Sequence, residues 1–417
     1  MIATRIDHCI RRDEHWLRRE STNGFDAKRP LVSLTIRRDS TSKAQGIACT
    51  IRPMKWALIT SMFAAVSMLS SQAADIPVLS DSWKQYKAQF IHANGRVIDP
   101  AKPTMTTSEA QSYALLRALW MNDSQTFKRV HNWNLANLKR KTDHLFSWKY
   151  GANDAGSDSV LDEQPAADAD EDIAFALICA SRLWKNNAYA EYAEDMLTDI
   201  WNSEVVAIGN ENYLAAGPWA KDEPEPSLNP SYFAPYEYRV FAEIDKSHPW
   251  MDLVNSSYKA LNAVSDESAL QLPPDWCRIN KLTGQITVDK YSSRSNYSYD
   301  AMRVPWRISA DAIWNKDERA QKYIERLQFL RDSWHLSKTI RASYSPTGVT
   351  VDLQEPVAFL GPVLPALAIL DYASAQDVEQ KLTQLANDSN YYANNWIWFG
   401  LALYKNAIPK PPASPAS

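Results

Sequence analysis

The sequence predicts an all-α chain whose paired helices close into a toroid, and three observations carry that prediction. Glycine is scarce, 11 in 417 residues, while tryptophan reaches 16, a mixture that suits helices better than a glycine-punctuated β-sandwich. Runs with helical spacing of apolar residues recur at intervals of about 15 to 40 residues, about a dozen in all. Several form adjacent pairs joined by short polar loops, as 171–185 and 187–202 do, which is how antiparallel neighbours are connected. Periodicity by itself leaves a closed toroid and an open solenoid as alternatives.

Residues 1–53 carry a net charge of +5 and leave −9 for the rest of the chain. A body this acidic is a poor partner for nucleic acid. Met54-Lys55-Trp56 precedes the apolar run ALITSMFAAVSMLS and then SQAAD, in which Ala73 or Ala74 suits a small-residue cleavage site. These are the three parts of a secretory signal peptide, too short and wrongly flanked for a membrane span. The expected organisation is an upstream extension over 1–53, a signal peptide over 54–74, one domain over 75–408 and a disordered Pro/Ser tail over 409–417. A signal anchor with a short tail is the alternative. Periplasmic or secreted localisation follows, with no stable membrane span after cleavage.

Within the body, Trp83, Tyr86 and Phe90 make one side of a helix over 81–91. Asn94-Gly95, Pro100 and Pro103 then break the chain. In TTSEAQSYALLRALWM, Thr106 and Glu109 have capping-box spacing ahead of an apolar stripe. Further helices are expected over 124–141, 171–185, 187–202, 232–244, 248–264, 300–314, 317–334, 356–373, 375–387 and 390–405. Strand signals are short: 146–150, 205–208, 213–215 and 285–288. Beyond the extension only Cys179 and Cys277 remain, at most one bridge, with Cys179 expected buried and reduced. No Cys/His cluster has zinc spacing, and there is no phosphate or EF-hand loop, so no cofactor or metal is expected.

Three carboxylate groups stand at predicted helix starts among aromatics. Asp168, Asp170 and Asp172 precede the apolar stripe Ile173, Leu177, Ala180 and Trp184, which reads as an acidic loop feeding a buried helix. Glu109 is the second. Asp300, in NYSYDAMRVPWR, precedes a helix bearing Arg303 and Arg307, with Pro305 in its first turn. Each has a plain structural role available: a capping-box glutamate, an N-cap aspartate, an Asp–Arg pair at i, i+3. Together they have the composition glycoside hydrolysis needs, a protonated acid at the leaving oxygen and a second, ionised carboxylate. The abundant tryptophans offer flat rings for sugar faces.

The run from Ala166 to Trp184 resembles the signature of glycoside hydrolase family 8, the cellulase D family, with Ala167 where the signature has a hydroxyl residue. TSEAQSYAL and YDAMRVPWR resemble that family's other two blocks, in order and spacing, and the likeness covers about 81–405. It is nearest the periplasmic endoglucanase type found beside bacterial cellulose synthases. The resemblance implies an (α/α)6 barrel and an inverting endo-β-1,4-glucanase acting on cellulose. By position, Glu109 would be the general acid, Asp300 the general base and Asp168 the support for the distorted sugar. Arg303 would orient carboxylates or a hydroxyl, and Trp148 and Tyr232 would touch substrate. Repulsion from Asp168 would hold the proton on Glu109. The partners implied are a β-1,4-glucan and the cellulose synthase/export complex. Chitosan, mixed-linkage glucan and xylan are alternative substrates; a non-catalytic glycan-binding protein of the secretion machinery, or another toroid glycosidase or lyase, is the alternative class.

Overall fold

The computed structural model describes residues 73–411; the expectations for the extension, most of the signal peptide and the tail beyond 411 lie outside them. Cleavage was expected at Ala73 or Ala74, and here Ala73 is buried in the short turn Ala73–Asp75. Among the described residues there are fourteen helices. They are α1 (Pro77–Phe90), α2 (Ser108–Trp120), α3 (Ser124–Asn137), α4 (Ala167–Trp184), α5 (Asn187–Glu204), α6 (Pro218–Lys221) and α7 (Pro235–Ile244). The second half holds α8 (Trp250–Asp266), α9 (Val304–Asn315), α10 (Glu318–Ile324), α11 (Gln328–Ser337), α12 (Leu360–Leu370), α13 (Tyr372–Gln384) and α14 (Tyr391–Tyr404).

Six of them form an inner ring. α2 packs on α4, α4 on α7, α7 on α9, α9 on α12 and α12 on α14. The ring closes where Arg117 of α2 donates to Asn394 Oδ1 of α14 at 2.8 Å and Tyr113 meets Trp396 edge-on at 5.6 Å. An outer helix backs each inner one: α3 on α2, α5 on α4, α8 on α7, α10 on α9, α13 on α12 and α1 on α14. This is an (α/α)6 barrel, and it resolves the choice between toroid and solenoid. The inner helices are apolar around most of their circumference because both faces are covered, as in α4, buried without a break from Ala167 to Ala180.

Inner helices α12 and α14 meet backbone to backbone. A Cβ at Gly400 would lie 2.1 Å from the Gly361 carbonyl oxygen, and one at Gly361 would lie 2.0 Å from that of Trp396. Glycine is required at both positions for this approach.

The strands are short loop decorations. β1 (Met105–Thr107), β2 (Lys149–Ala152) and β3 (Asp158–Asp162) form an antiparallel sheet in which Thr106 faces Tyr150 and Tyr150 faces Val160. β4 (Val205–Ile208) and β5 (Glu211–Leu214) form a hairpin. β6 (Ser227–Leu228), β7 (Cys277–Ile279) and β8 (Ile286–Thr287) make a third sheet, and β9 (Ser343–Tyr344) pairs with β10 (Thr350–Asp352). Only β4 matches its expected bounds, since strands of two to five half-polar residues leave too few alternations to read.

Two helical expectations change. The helix expected over 317–334 is two, because the chain turns at Glu325–Leu327. The acidic stretch is not a loop: α4 begins at Ala167, so Asp168, Asp170 and Asp172 lie in its first two turns. Cys179 and Cys277 are both buried and unpaired with each other.

Gly400→Ala must force α14 and α12 apart, an overpacking change expected to cost about 1–3 kcal/mol. Urea unfolding of the variant measures it; an unchanged midpoint would contradict the backbone contact.

Candidate active site

The inner helices α2, α4, α7, α9, α12 and α14 bring their N-terminal ends to the same end of the barrel. A cleft of about 520 Å³ there is lined by the starts of α2 and α14, by Asp300 and by the residues leading into α12. A second cavity of about 320 Å³ is lined by Trp148, Ala166 before α4, Trp219 and Tyr232 before α7.

Glu109 reaches this cleft because the cap of α2 is not the residue expected. Thr107, not Thr106, is the N-cap, its hydroxyl accepting from Ala110 N at 3.1 Å. The Thr106 hydroxyl is used elsewhere, donating to Val97 O and accepting from Arg96 Nε, each at 2.9 Å. Glu109 is therefore released from a capping box. Its Oε1 accepts instead from the Tyr113 hydroxyl at 2.6 Å, one turn along the same helix, and from Arg303 Nη1 at 3.4 Å.

The aspartates of α4 point in different directions, as alternate residues on a helix must. Ala166 is the N-cap and caps with no side chain, so none of the three acts as the cap. Asp168 and Asp172, four residues apart, share a face and meet two arginines likewise four apart, Arg303 in the turn before α9 and Arg307 on α9. Asp168 Oδ2 accepts from Arg303 Nη1 at 2.8 Å, and Asp172 accepts from Arg307 Nη1 and Nη2 at 3.0 and 3.2 Å. Asp170 faces away and accepts from Phe146 N at 3.1 Å, a structural bond outside the cleft. Where the signature residue would offer a hydroxyl, the Ala167 backbone N donates to Ala216 O at 3.3 Å. Trp148 connects the two acidic starts, its carbonyl accepting from Ser108 N and its N–H donating to Gln164 O.

Asp300 precedes a single 3-10 turn, Ala301–Arg303, and makes no cap bond of its own. Its Oδ1 accepts from Arg303 Nη2 at 2.8 Å and its Oδ2 from Asn229 Nδ2 at 3.1 Å. Arg303 is thus the common partner of Glu109, Asp168 and Asp300, and its guanidinium lies 5.4 Å from the Tyr232 ring centre. The Arg303 side chain is 2% exposed and that of Asp168 4%, whereas Glu109 and Asp300 keep 35% and 33% of theirs open. Because Glu109 and Asp300 bind two nitrogens of one planar fork, their nearest oxygens are at most about 9 Å apart. Glu109, Asp168, Asp300, Arg303 and Tyr232 meet here, while Trp148 lies with Tyr232 along the second cavity.

Burial, the largest cause, pushes the Asp168 carboxyl up to about 7; Arg303 pulls it back and the Glu109 charge adds to the rise. Among the described residues no cluster of histidine, cysteine and carboxylate groups could hold a metal ion.

Three contributors escaped the sequence reading. Tyr113 looked like core stripe, Asn229 lay unremarked in LNPSYF, and Asp275 stood in a proline-rich loop. Asp275 Oδ1 accepts from the backbone N–H of Ser298, Asp300 and Ala301 at 3.1, 3.1 and 2.7 Å, supplying from a distant segment the cap that Asp300 does not. A helix-start aspartate followed by an arginine signalled Asp300; nothing local signals a cap that arrives from elsewhere in the chain.

Residues 51–406 match the model for glycosyl hydrolases family 8. The chain belongs to that family. An endoglucanase of Salmonella typhi is 33% identical over 252 residues, covering 57% of this chain and 64% of its own length. An endoglucanase of Escherichia coli K12 is 29% identical over 325 residues, 75% of this chain and 83% of its own. Thus the chain spans a little under two thirds of the Salmonella relative. Among solved structures, an endo-1,4-D-glucanase of Vibrio fischeri superposes with a TM-score of 0.69 at 28% identity, over 78% of this chain and 94% of that one.

For a family 8 barrel tied together this way, Arg303→Met tests the hub. Raised above the ordinary carboxylate range, Asp168 binds its proton more tightly folded than unfolded, so it favours folding as pH falls from about 7 toward 4 and opposes it above. Removing the cation strengthens that bias. The variant should lose about 3–5 kcal/mol at pH 8 and much less at pH 5. Urea midpoints at the two pH values report it, and equal losses would contradict the pairing.

Proposed function

We propose that this chain is an inverting endo-β-1,4-glucanase that cuts cellulose strands. The observation that carries the reading is the sharing of one buried guanidinium by three carboxylates, two of them open to a cleft. Glu109 and Asp300 are the open pair, and the limit on their separation is compatible with the roughly 6.5–9.5 Å that an inverting pair needs to admit water.

In this reading Glu109 gives its proton to the glycosidic oxygen as the C1–O bond breaks. A water held on the opposite face of the sugar attacks C1 and passes a proton to Asp300. Asp168, against Arg303, supports the charge that develops on the ring. Asn229 and Arg303 hold Asp300 from two sides, which fixes its oxygens for the water and keeps the site near its productive geometry before substrate arrives. Trp148 and Tyr232 offer faces for the sugars beyond the scissile bond. The chemistry requires no cofactor. Relatives named endoglucanase support β-1,4-glucan as substrate.

Export to the periplasm and a role beside a cellulose synthase complete the proposal. The apolar run behind Met54 and the resemblance of the three sequence blocks to the periplasmic endoglucanase type support both. Among the described residues no helix is long and apolar enough to cross a membrane.

Glu109→Gln should lower reducing-sugar release from carboxymethylcellulose by at least about 10³-fold while cello-oligosaccharide binding, followed by calorimetry, stays within a few fold. An active variant would remove Glu109 from its role, and a wild-type chain that bound glucan without cutting it would favour the non-catalytic alternative. In a cellulose-producing host the same substitution should change cellulose yield, and unchanged yield would count against the export-coupled role.

A further inference from the structure

We propose that Asp275 is a positioning residue for the base: it fixes the backbone on which Asp300 stands and leaves both Asp300 oxygens free of capping duty. The inference rests on the hydrolase reading above.

The geometry has three parts. First, one oxygen of Asp275 collects three backbone N–H groups from Ser298, Asp300 and Ala301, so the peptide planes on both sides of Asp300 are held by a single atom. Second, Asp275 is itself anchored. Its N–H donates to Asn296 O at 2.7 Å, the next residue's N–H donates to Arg294 O at 2.9 Å, and Asn296 Nδ2 donates to Ser343 Oγ at 3.1 Å. Third, the arrangement frees Asp300. A residue preceding a helical turn ordinarily bends its carboxylate back to cap that turn; with the cap supplied by Asp275, both Asp300 oxygens point to Arg303 and Asn229.

The charges acting on Asp275 come from every side. Asp300 and Arg303 lie on the segment it caps, Tyr297 precedes that segment, and Tyr392 approaches from α14. Burial first and the Asp300 charge second push the Asp275 carboxyl up to about 7, while the bonds from Ala301 and Ser298 and the Arg303 charge pull it back. Asp275 does not line the cleft, so it acts through Asp300 and not on substrate.

Two substitutions test the anchor. Asp275→Asn keeps an oxygen for the three N–H groups; Asp275→Ala removes it. For cello-oligosaccharide hydrolysis, Asp275→Ala should lose about 10²-fold in kcat with KM within about twofold of wild type, and Asp275→Asn should recover most of that kcat. An alanine variant as fast as wild type, an asparagine variant as slow as the alanine one, or a KM that rises in step with the fall in kcat would overturn the proposal. Should the alanine variant fail to fold, Asp275→Glu, whose longer side chain displaces the accepting oxygen, takes its place with the same expected loss in kcat at unchanged KM. A wild-type chain without glucanase activity would instead defeat the hydrolase reading, so the two failures are distinguishable.

Discussion

One buried cation organises the catalytic end of this molecule. Arg303 is almost wholly removed from water and is surrounded by carboxylates from α2, α4 and its own turn. A buried guanidinium is costly unless its charge is matched and its donors are used, and here its anionic neighbours hold it protonated against the cost of burial. The constraint runs both ways. Asp168 tolerates burial only beside this cation, while Glu109 and Asp300 are held in place by it yet keep a third of their surface for a ligand. Four residues on, Arg307 repeats the pattern one helical turn deeper with Asp172 and Glu237, Tyr236 adding a hydroxyl. The two tiers tie α4 to the α9 segment across the ring, on the far side of α7 from their packed contacts.

The barrel makes this possible by delivering six helix starts to one place. Three of these starts are held from outside themselves: Trp148 ties the approach to α2 to the approach to α4, Ala216 holds the first residue of α4, and Asp275 holds the turn before α9. Where inner helices must come closest, side chains are dispensed with, as between Gly361 and Gly400. The loops can then be irregular and polar while the residues they present stay fixed, because the rigidity is that of the ring beneath them.

Much of this was readable in the sequence, for definite reasons. The inner helices announce themselves because burial on both faces leaves long apolar runs such as Ile173 to Ala180, and the catalytic candidates stand at the polar edges of those runs. What local pattern could not supply is contact across the chain. Arg303 meets Asp168 and Glu109 from 135 and 194 positions away, and no spacing rule predicts such a meeting. The choice of Thr107 over Thr106 as cap was decided by Arg96 and Val97, which claim the Thr106 hydroxyl. The acidic stretch looked like loop because three aspartates are poor helix formers. It is helix because Asp168, Asp170 and Asp172 each find a partner beyond it. Asp275 stayed hidden for the same reason, since its work is done on residues 298–301.

In the proposed reading, the acid and the base are two carboxylates paired with the same arginine and open to one cleft. Such a site should displace the leaving group from one face while water enters at the other. Proton NMR of cello-oligosaccharide cleavage, recorded before the product can mutarotate, reads that outcome from the first sugar released. The account predicts that the new reducing end appears as the α-anomer; initial accumulation of the β-anomer would contradict it.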